Sequence, residues 1–232
     1  MASIKFGGGI TDIRGKMGGN VYSKNRFGAY MRKNTVPVNP RTALQNAVRA
    51  AFSQLSVRWS QTLTALQRTG WNSYGANVAV KNRLGEDVFL TGVNHYQRSN
   101  VILAQIGEAY IDAAPAIFEL PEQDPTLLFT ASEAAQELEV AFDDTLEWLD
   151  EDGGFLVVYM GNPQNPTVNF FDGPWRLAGF SAGDSVTPPT TPETVTCPFA
   201  ITETQKIFIY ARIVRADGRV SEKFRADAFC AA

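Results

Sequence analysis

Acidic side chains cluster where a chain could hold a cation or run acid–base chemistry: Asp143 and Asp144 lie a few residues ahead of Asp150, Glu151 and Asp152. Calcium loops alternate Asp or Asn around a sharp glycine turn and close on a bidentate Glu, and these acids lack that alternation. Paired-carboxylate catalysis needs acids held in unlike environments, whereas both clusters flank the stretch 143–154, which reads as a turn carrying solvated acids. The single histidine, His95, has no Cys and no second His near it. Neither a metal site nor a His-dependent nucleophile is expected there, and the ring reads as surface or partly packed. Cys197 and Cys230 are too few for a disulfide framework and lack ligand spacing. They read as small apolar residues in or beside a core, with a single bridge as the alternative. Gly15-Lys16 lacks the upstream glycine and the following Ser or Thr of a phosphate loop, and no Gly-x-Ser-x-Gly elbow occurs. The expectation is a protein that is not an enzyme, with no cofactor and no metal.

Binding chemistry is better represented. Arg14, Lys16, Tyr22, Lys24, Arg26, Phe27, Tyr30, Arg32 and Lys33 interleave cations with rings within residues 14–33. Arginine beside aromatics suits single-stranded nucleic acid through stacking and phosphate neutralisation. It equally suits an acidic protein groove, through bidentate carboxylate pairing and buried rings. Charge along the chain favours protein. Residues 1–107 carry 14 Lys or Arg against 3 acids, net +11, and residues 108–232 carry 7 against 21, net −14, so the overall −3 hides two opposed halves. A surface dominated by one sign repels itself and attracts the other. The partners expected are therefore other copies of this chain or other proteins of an assembly, with nucleic acid as the alternative.

Four segments must position these groups. Residues 1–38 are poor in large apolar side chains and rich in glycine, and such a segment cannot offset its own ordering entropy by burial. Short strands on either side of the turn-like 24–28 make it an extended, hairpin-like basic arm that orders against something else, with a hairpin folded onto its own chain or a flexible tail as the alternatives. Residues 39–114 read as helical. Asn39-Pro40 is a helix start, and Leu44, Val48, Ala51, Phe52 and Leu55 form one apolar stripe. Thr64 and Gln67 have capping-box spacing ahead of a second helix carrying Leu66, Trp71 and Tyr74, which completes an αα-hairpin. Residues 82–85 read as a turn, and Thr91 caps a third helix over 92–106. Residues 115–125, with Pro115, Pro121 and Pro125, form a linker. Beyond it the apolar period becomes two, with strands expected over 127–130, 138–142, 155–160, 168–171, 175–180, 195–199, 207–214 and 220–229. That density of short strands predicts an all-β sandwich over 126–232. The fold class expected is α+β and multidomain: an extended β-arm and helical hairpin followed by the sandwich. At 44% apolar residues there is material for a core. No apolar stretch is long enough to span a bilayer, and residues 1–5 do not open as a secretion leader.

Two resemblances add to this. The hairpin over 207–221, with Asp217-Gly218 at its turn, resembles the last two strands of fibronectin type III modules, and implies an Ig-like fold without implying an activity. The run IRGKMGGNVYSKNRFGAYMR over 13–32, NPRT over 39–42, and then Gln45, Arg49, Phe52, Leu55, Ser56, Trp59, Leu63, Thr64, Gln67, Arg68 and Trp71 resemble an uncharacterised family of bacteriophage-associated proteins. That resemblance spans roughly the first 100 residues and implies a phage context. The function expected is a non-enzymatic virion component, such as a capsid-associated, decoration, neck or tail protein. It would assemble in the host cytoplasm through an arm that interlocks with neighbouring subunits. The alternatives are a nucleic-acid-binding protein using the basic half, or a host- or glycan-binding adhesin using Trp148, Trp175 and the loop over 185–192.

Overall fold

The computed structural model describes residues 2–5, 7–35, 38–82 and 84–232; residues 1, 6, 36 and 37 of the expected arm and 83 of the expected turn lie outside them. The N-terminal segment forms β1 (Ala2–Ile4), β2 (Gly15–Met17), β3 (Asn20–Asn25) and β4 (Gly28–Lys33), an antiparallel sheet in the order β1-β4-β3-β2. The hairpin expected around 24–28 is β3–β4. Asn25 pairs with Gly28 across the turn, its Oδ1 accepts the Phe27 N–H at 2.9 Å, and Gly28 takes φ 109, a region open chiefly to glycine. Two further strands flank that hairpin, so the arm is a small sheet rather than a hairpin alone. From Ser3 onward no described residue before Leu55 is buried. The sheet therefore has no core of its own, and an isolated sheet of this kind is only marginally stable. It meets the rest of the chain through polar contacts: Lys5 pairs with Glu86 at 2.5 Å, Arg26 donates to the Phe89 carbonyl at 3.2 Å, and Asn82 donates to the Phe27 carbonyl at 3.4 Å.

Helix α1 (Ala43–Val57) starts later than Asn39-Pro40 predicts. Arg41 takes φ 51, through which a right-handed helix cannot continue, and Thr42 becomes the cap, its hydroxyl accepting from the Gln45 N–H at 3.3 Å. The helix passes into a π-helical turn, Arg58–Thr62, and extended backbone at Leu63 redirects the chain. Helix α2 (Ala65–Asn77) opens on the expected capping box, with Thr64 and Gln67 bonded reciprocally. After β5 (Ala79–Lys81) and β6 (Asp87–Phe89) comes α3 (Gly92–Ile106), which ends on Gly107 at φ 85. Thr91 stands at the N-cap, but its hydroxyl makes no capping bond; its carbonyl accepts from Asn94 and His95. The expected αα-hairpin gives way to an arrangement centred on α3, against which α1 and α2 both pack. Leu55, Leu63, Trp71, Tyr74, Val78 and Tyr96 form the core of these helices.

The C-terminal half forms β7 (Leu128–Ser132), β8 (Glu137–Ala141), β9 (Phe155–Gly161), β10 (Trp175–Ala182), β11 (Glu193–Thr196), β12 (Lys206–Val214) and β13 (Phe224–Ala231). They make one sheet in the order β10-β9-β12-β13-β7-β8-β11, whose end strands β10 and β11 approach each other, so that it nearly closes into a barrel. Its strand β13 is antiparallel to β12 and pairs in parallel with β7 through Cys230 and Ala131. The strand expected over 168–171 is absent. That stretch lies between Pro166 and Pro174, which lack ladder N–H groups, and folds back so that Phe171 stacks on Phe208 at 5.9 Å. Of residues 220–223, expected within the last strand, Val220 forms an isolated antiparallel bridge to Val214 and 221–223 are irregular, so that β13 begins at Phe224.

Strand alternation sorts two cores. One face of β9 and β12 places Leu156, Val158, Met160, Ile207, Ile209 and Ala211 inside the curved sheet with Leu138 and Trp148. The opposite face places Val157, Tyr159 and Val214 against Ile102 and Leu103 of α3. Every residue of β9 is buried as a result. The proline-rich segment 115–125 is seated on this body rather than free. Pro115 and Pro121 are buried, and the buried Asp124 accepts N–H groups from Thr126 and Asp143 at 2.8 and 2.9 Å.

Candidate functional site

Directly paired residues share a face of a sheet, and faces alternate along each strand. In the N-terminal sheet Tyr22 pairs with Met31 and Lys24 with Ala29, which places Tyr22, Lys24, Met31 and Lys33 on one face. Lys16 pairs with Val21 and Val21 with Arg32, and Ser23 with Tyr30, which places Lys16, Tyr30 and Arg32 on the other. The nine residues singled out in the sequence therefore do not form one surface. Arg14 precedes β2 and is held by Asp12 at 3.0 Å, and Arg26 and Phe27 sit in the β3–β4 turn facing β6. Lys16, Lys24, Arg32 and Lys33 are exposed and make no ion pair among the described residues.

Helix α1 continues this open surface. Leu44, Val48, Phe52 and Val57 are 62, 41, 43 and 49% exposed, and of the stripe read in the sequence Leu55 alone is buried. Apolar residues at i, i+4 and i+8 lie one above another on a helix, so the first turns of α1 present an apolar ridge to solvent. Its C-terminal end is anchored. Arg58 donates to both carboxylate oxygens of Asp112 at 2.8 and 2.6 Å, and Tyr96 donates to the same group at 3.1 Å. Those bonds, Arg58 first, hold the Asp112 carboxyl below the usual carboxylate range.

Four acids of the 143–154 turn have structural partners. Asp143 accepts from the backbone and hydroxyl of Thr145 at 2.9 and 2.6 Å, Glu147 and Glu151 both pair with Arg215, and Asp152 accepts from the Ser185 N–H at 2.9 Å. Beside them lies a cleft of about 470 Å³ lined by Glu119, Glu122, Asp143 and Glu147, by Arg215 and Arg219, and by Leu120 and Leu146, and Ile117 and Phe118 nearby are 50 and 46% exposed. Among the described residues no three His, Cys, Asp or Glu side chains are grouped to hold a metal ion.

His95 is buried, contrary to the expectation of a surface or partly packed ring: it is 2% exposed, with Tyr74 edge-on at 4.9 Å. Cys197 and Cys230 are both free thiols at the sheet core. Trp148 is 1% exposed, packed against Phe142 and out of reach of any glycan, and Trp175 packs edge-on against Tyr210 and Phe171.

The sequence reading passed over Arg98, Arg212 and Lys223, which the fold brings to one cleft between α3 and the outer face of the sheet. A signal existed for Arg212, since it interrupts an otherwise apolar run over 207–214. Comparison with protein-family models, with curated proteins and with solved structures finds no match.

Proposed function

We propose that this protein is a non-enzymatic structural protein, a component of a bacteriophage virion, which assembles by docking its basic N-terminal sheet and the open ridge of α1 onto a second copy of itself. The observation that carries this reading is the absence of any buried residue among the described residues from Ser3 to Gln54, over a segment that includes Leu44, Val48 and Phe52. Exposed apolar ridges flanked by charge mark interaction surfaces. Charge selects the occupant: the segment is basic, the other half of the chain carries 21 acids, and its cleft, where Glu119, Glu122, Asp143 and Glu147 outnumber Arg215 and Arg219, has apolar Leu120 and Leu146 in its wall. The strand order β10-β9-β12-β13 beside β7-β8-β11 supports reading the β half as an Ig-like module. The likeness of residues 13–71 to phage-associated proteins supports the virion setting.

Light scattering coupled to size exclusion tests this. The wild-type chain is expected to self-associate in a concentration-dependent way. The Leu44→Ser, Val48→Ser, Phe52→Ser triple variant is expected to remain monomeric and folded, with the helix content of the wild type by circular dichroism, because none of these side chains is buried. Monomers for both proteins across the concentration range would sink the reading. The second reading, nucleic-acid binding, is favoured by the exposed Lys16, Lys24, Arg32 and Lys33, which make no ion pair among the described residues. It requires binding that weakens by orders of magnitude between about 50 and 200 mM salt, whereas association through an apolar ridge persists.

A further inference from the structure

We propose that the cleft between α3 and the outer face of β12 binds a phosphate-bearing small ligand through Arg98, Arg212 and Lys223. The cleft holds about 350 Å³, and its ionisable lining is Lys81, Arg98, Arg212, Lys223 and one carboxylate, Glu222. The excess of positive charge is not cancelled from within. Glu222 is turned to the Lys81 backbone N–H at 2.6 Å, and the Lys81 ammonium rests on Asp87 at 2.6 Å. Arg98 uses one N–H on the Ser221 carbonyl at 2.7 Å. Lys223 lies 3.6 Å from Asp172, which also takes Arg225 at 2.9 Å. Arg212 makes no side-chain hydrogen bond or ion pair among the described residues.

Arg98 and Arg212 are partly buried and Lys223 is exposed at the rim, and partly buried guanidiniums set beside one another are costly unless an anion joins them. Burial first, and then Arg212, push the Arg98 guanidinium down to about 10; burial and then Arg225 push the Lys223 ammonium down. Two guanidinium forks and an ammonium match the several oxygens and double charge of a phosphate better than the single charge of a carboxylate.

A second cleft, of about 320 Å³, shares Arg98 and Arg212 with the first and is lined by Tyr159, Tyr210 and Trp175. Tyr159 stacks on Tyr210 at 4.7 Å, and Trp175 meets Tyr210 edge-on at 4.9 Å. The guanidiniums thus stand between a cationic basin and an aromatic floor, an arrangement that accepts a phosphate with a planar ring attached to it.

Calorimetric titration of the full chain at fixed ionic strength, with inorganic phosphate and with a nucleoside diphosphate as the two probes, tests this. Both are expected to bind saturably and to raise the unfolding midpoint. The diphosphate is expected to bind about tenfold more tightly or better, one bidentate contact and one ring contact being enough for that. Arg212→Gln is expected to weaken both probes about tenfold or more while leaving the ligand-free midpoint unchanged or higher, because it removes a repelling charge. Lys223→Gln is the second variant, with the same loss expected, and Arg14→Gln is the control that binds as wild type. No saturable response in the wild type would overturn the proposal, as would undiminished phosphate binding by both Arg212→Gln and Lys223→Gln. Equal affinity for the two probes would overturn the ring subsite.

Discussion

The imidazole of His95 shows how a single buried side chain ties stability to pH. Its Nε2 has no hydrogen-bond partner among the described residues, and burial first, then Arg98, lower its proton affinity to about 4. An unfolded chain offers the ordinary value of ~6.5. Because the folded value lies below the unfolded one, the unfolded state takes the proton first, so stability is full above pH ~6.5 and falls as the pH drops from there towards 4. Each unit of pH in that window contributes up to about 1.4 kcal/mol, so the loss by pH 5 is about 2 kcal/mol. Urea unfolding of the wild type is expected to show this decline between pH 6.5 and 5, and His95→Leu is expected to be flatter over the same interval whatever its absolute stability. Parallel curves for the two proteins would mean that another group sets the dependence. The sequence showed a lone histidine without metal or nucleophile partners. Its burial depends on Tyr74, 21 residues earlier and on another helix, and local pattern carries no information about such a contact.

At the scale of elements, local chemistry was the most legible part. The Thr64 and Gln67 capping box and the β3–β4 turn are short-range devices, and both stand where spacing put them. Boundaries moved where one backbone angle decided, as at Arg41. What packs on what was not legible, because an apolar stripe identifies a helix without identifying its neighbour: the stripe of α1 is correct as periodicity, yet most of it faces solvent. The α2–α3 contact was equally hidden, since it rests on glycines that the helical pattern does not require. A Cβ on Gly92 would lie 2.5 Å from the Asn72 backbone N and Oδ1, and one on Gly75 would lie 2.5 Å from the Leu90 carbonyl. Alanine ordinarily favours a helix over glycine by about 1 kcal/mol, so the sign at Gly92 should reverse. Gly92→Ala is expected to lower stability by about 1–3 kcal/mol through overpacking, read as a drop in the thermal midpoint. At Gly107 the added methyl meets open space, and the cost there, about 1–2 kcal/mol, comes from φ 85 alone. A neutral Gly92→Ala would show that the helices can separate without penalty.

For the whole molecule, the change from a helical to a two-residue apolar period near residue 126 marks a change of secondary structure, yet one apolar cluster spans it. Ile102 and Leu103 of α3 are buried on Phe155, Val157 and Val214. Ser99 donates to the Gly218 carbonyl and Arg98 to that of Ser221, so the β12–β13 connection is held by α3. Leu103 is 1% exposed at this junction. A boundary built of buried leucine, valine and phenylalanine couples the two halves as a core does, since either half unfolding alone would leave the apolar face of the other in water. The expected consequence is cooperativity: one calorimetric transition for the helices and the seven-stranded sheet together, and equal opening free energies for α2 and β12 in native-state hydrogen exchange. Leu103→Ala should cost about 2–5 kcal/mol and lower both opening energies by the same amount. If exchange instead accelerated in α2 while β12 kept its protection, the helical segment would be a unit resting on the sheet, and the shared core would not be what joins them.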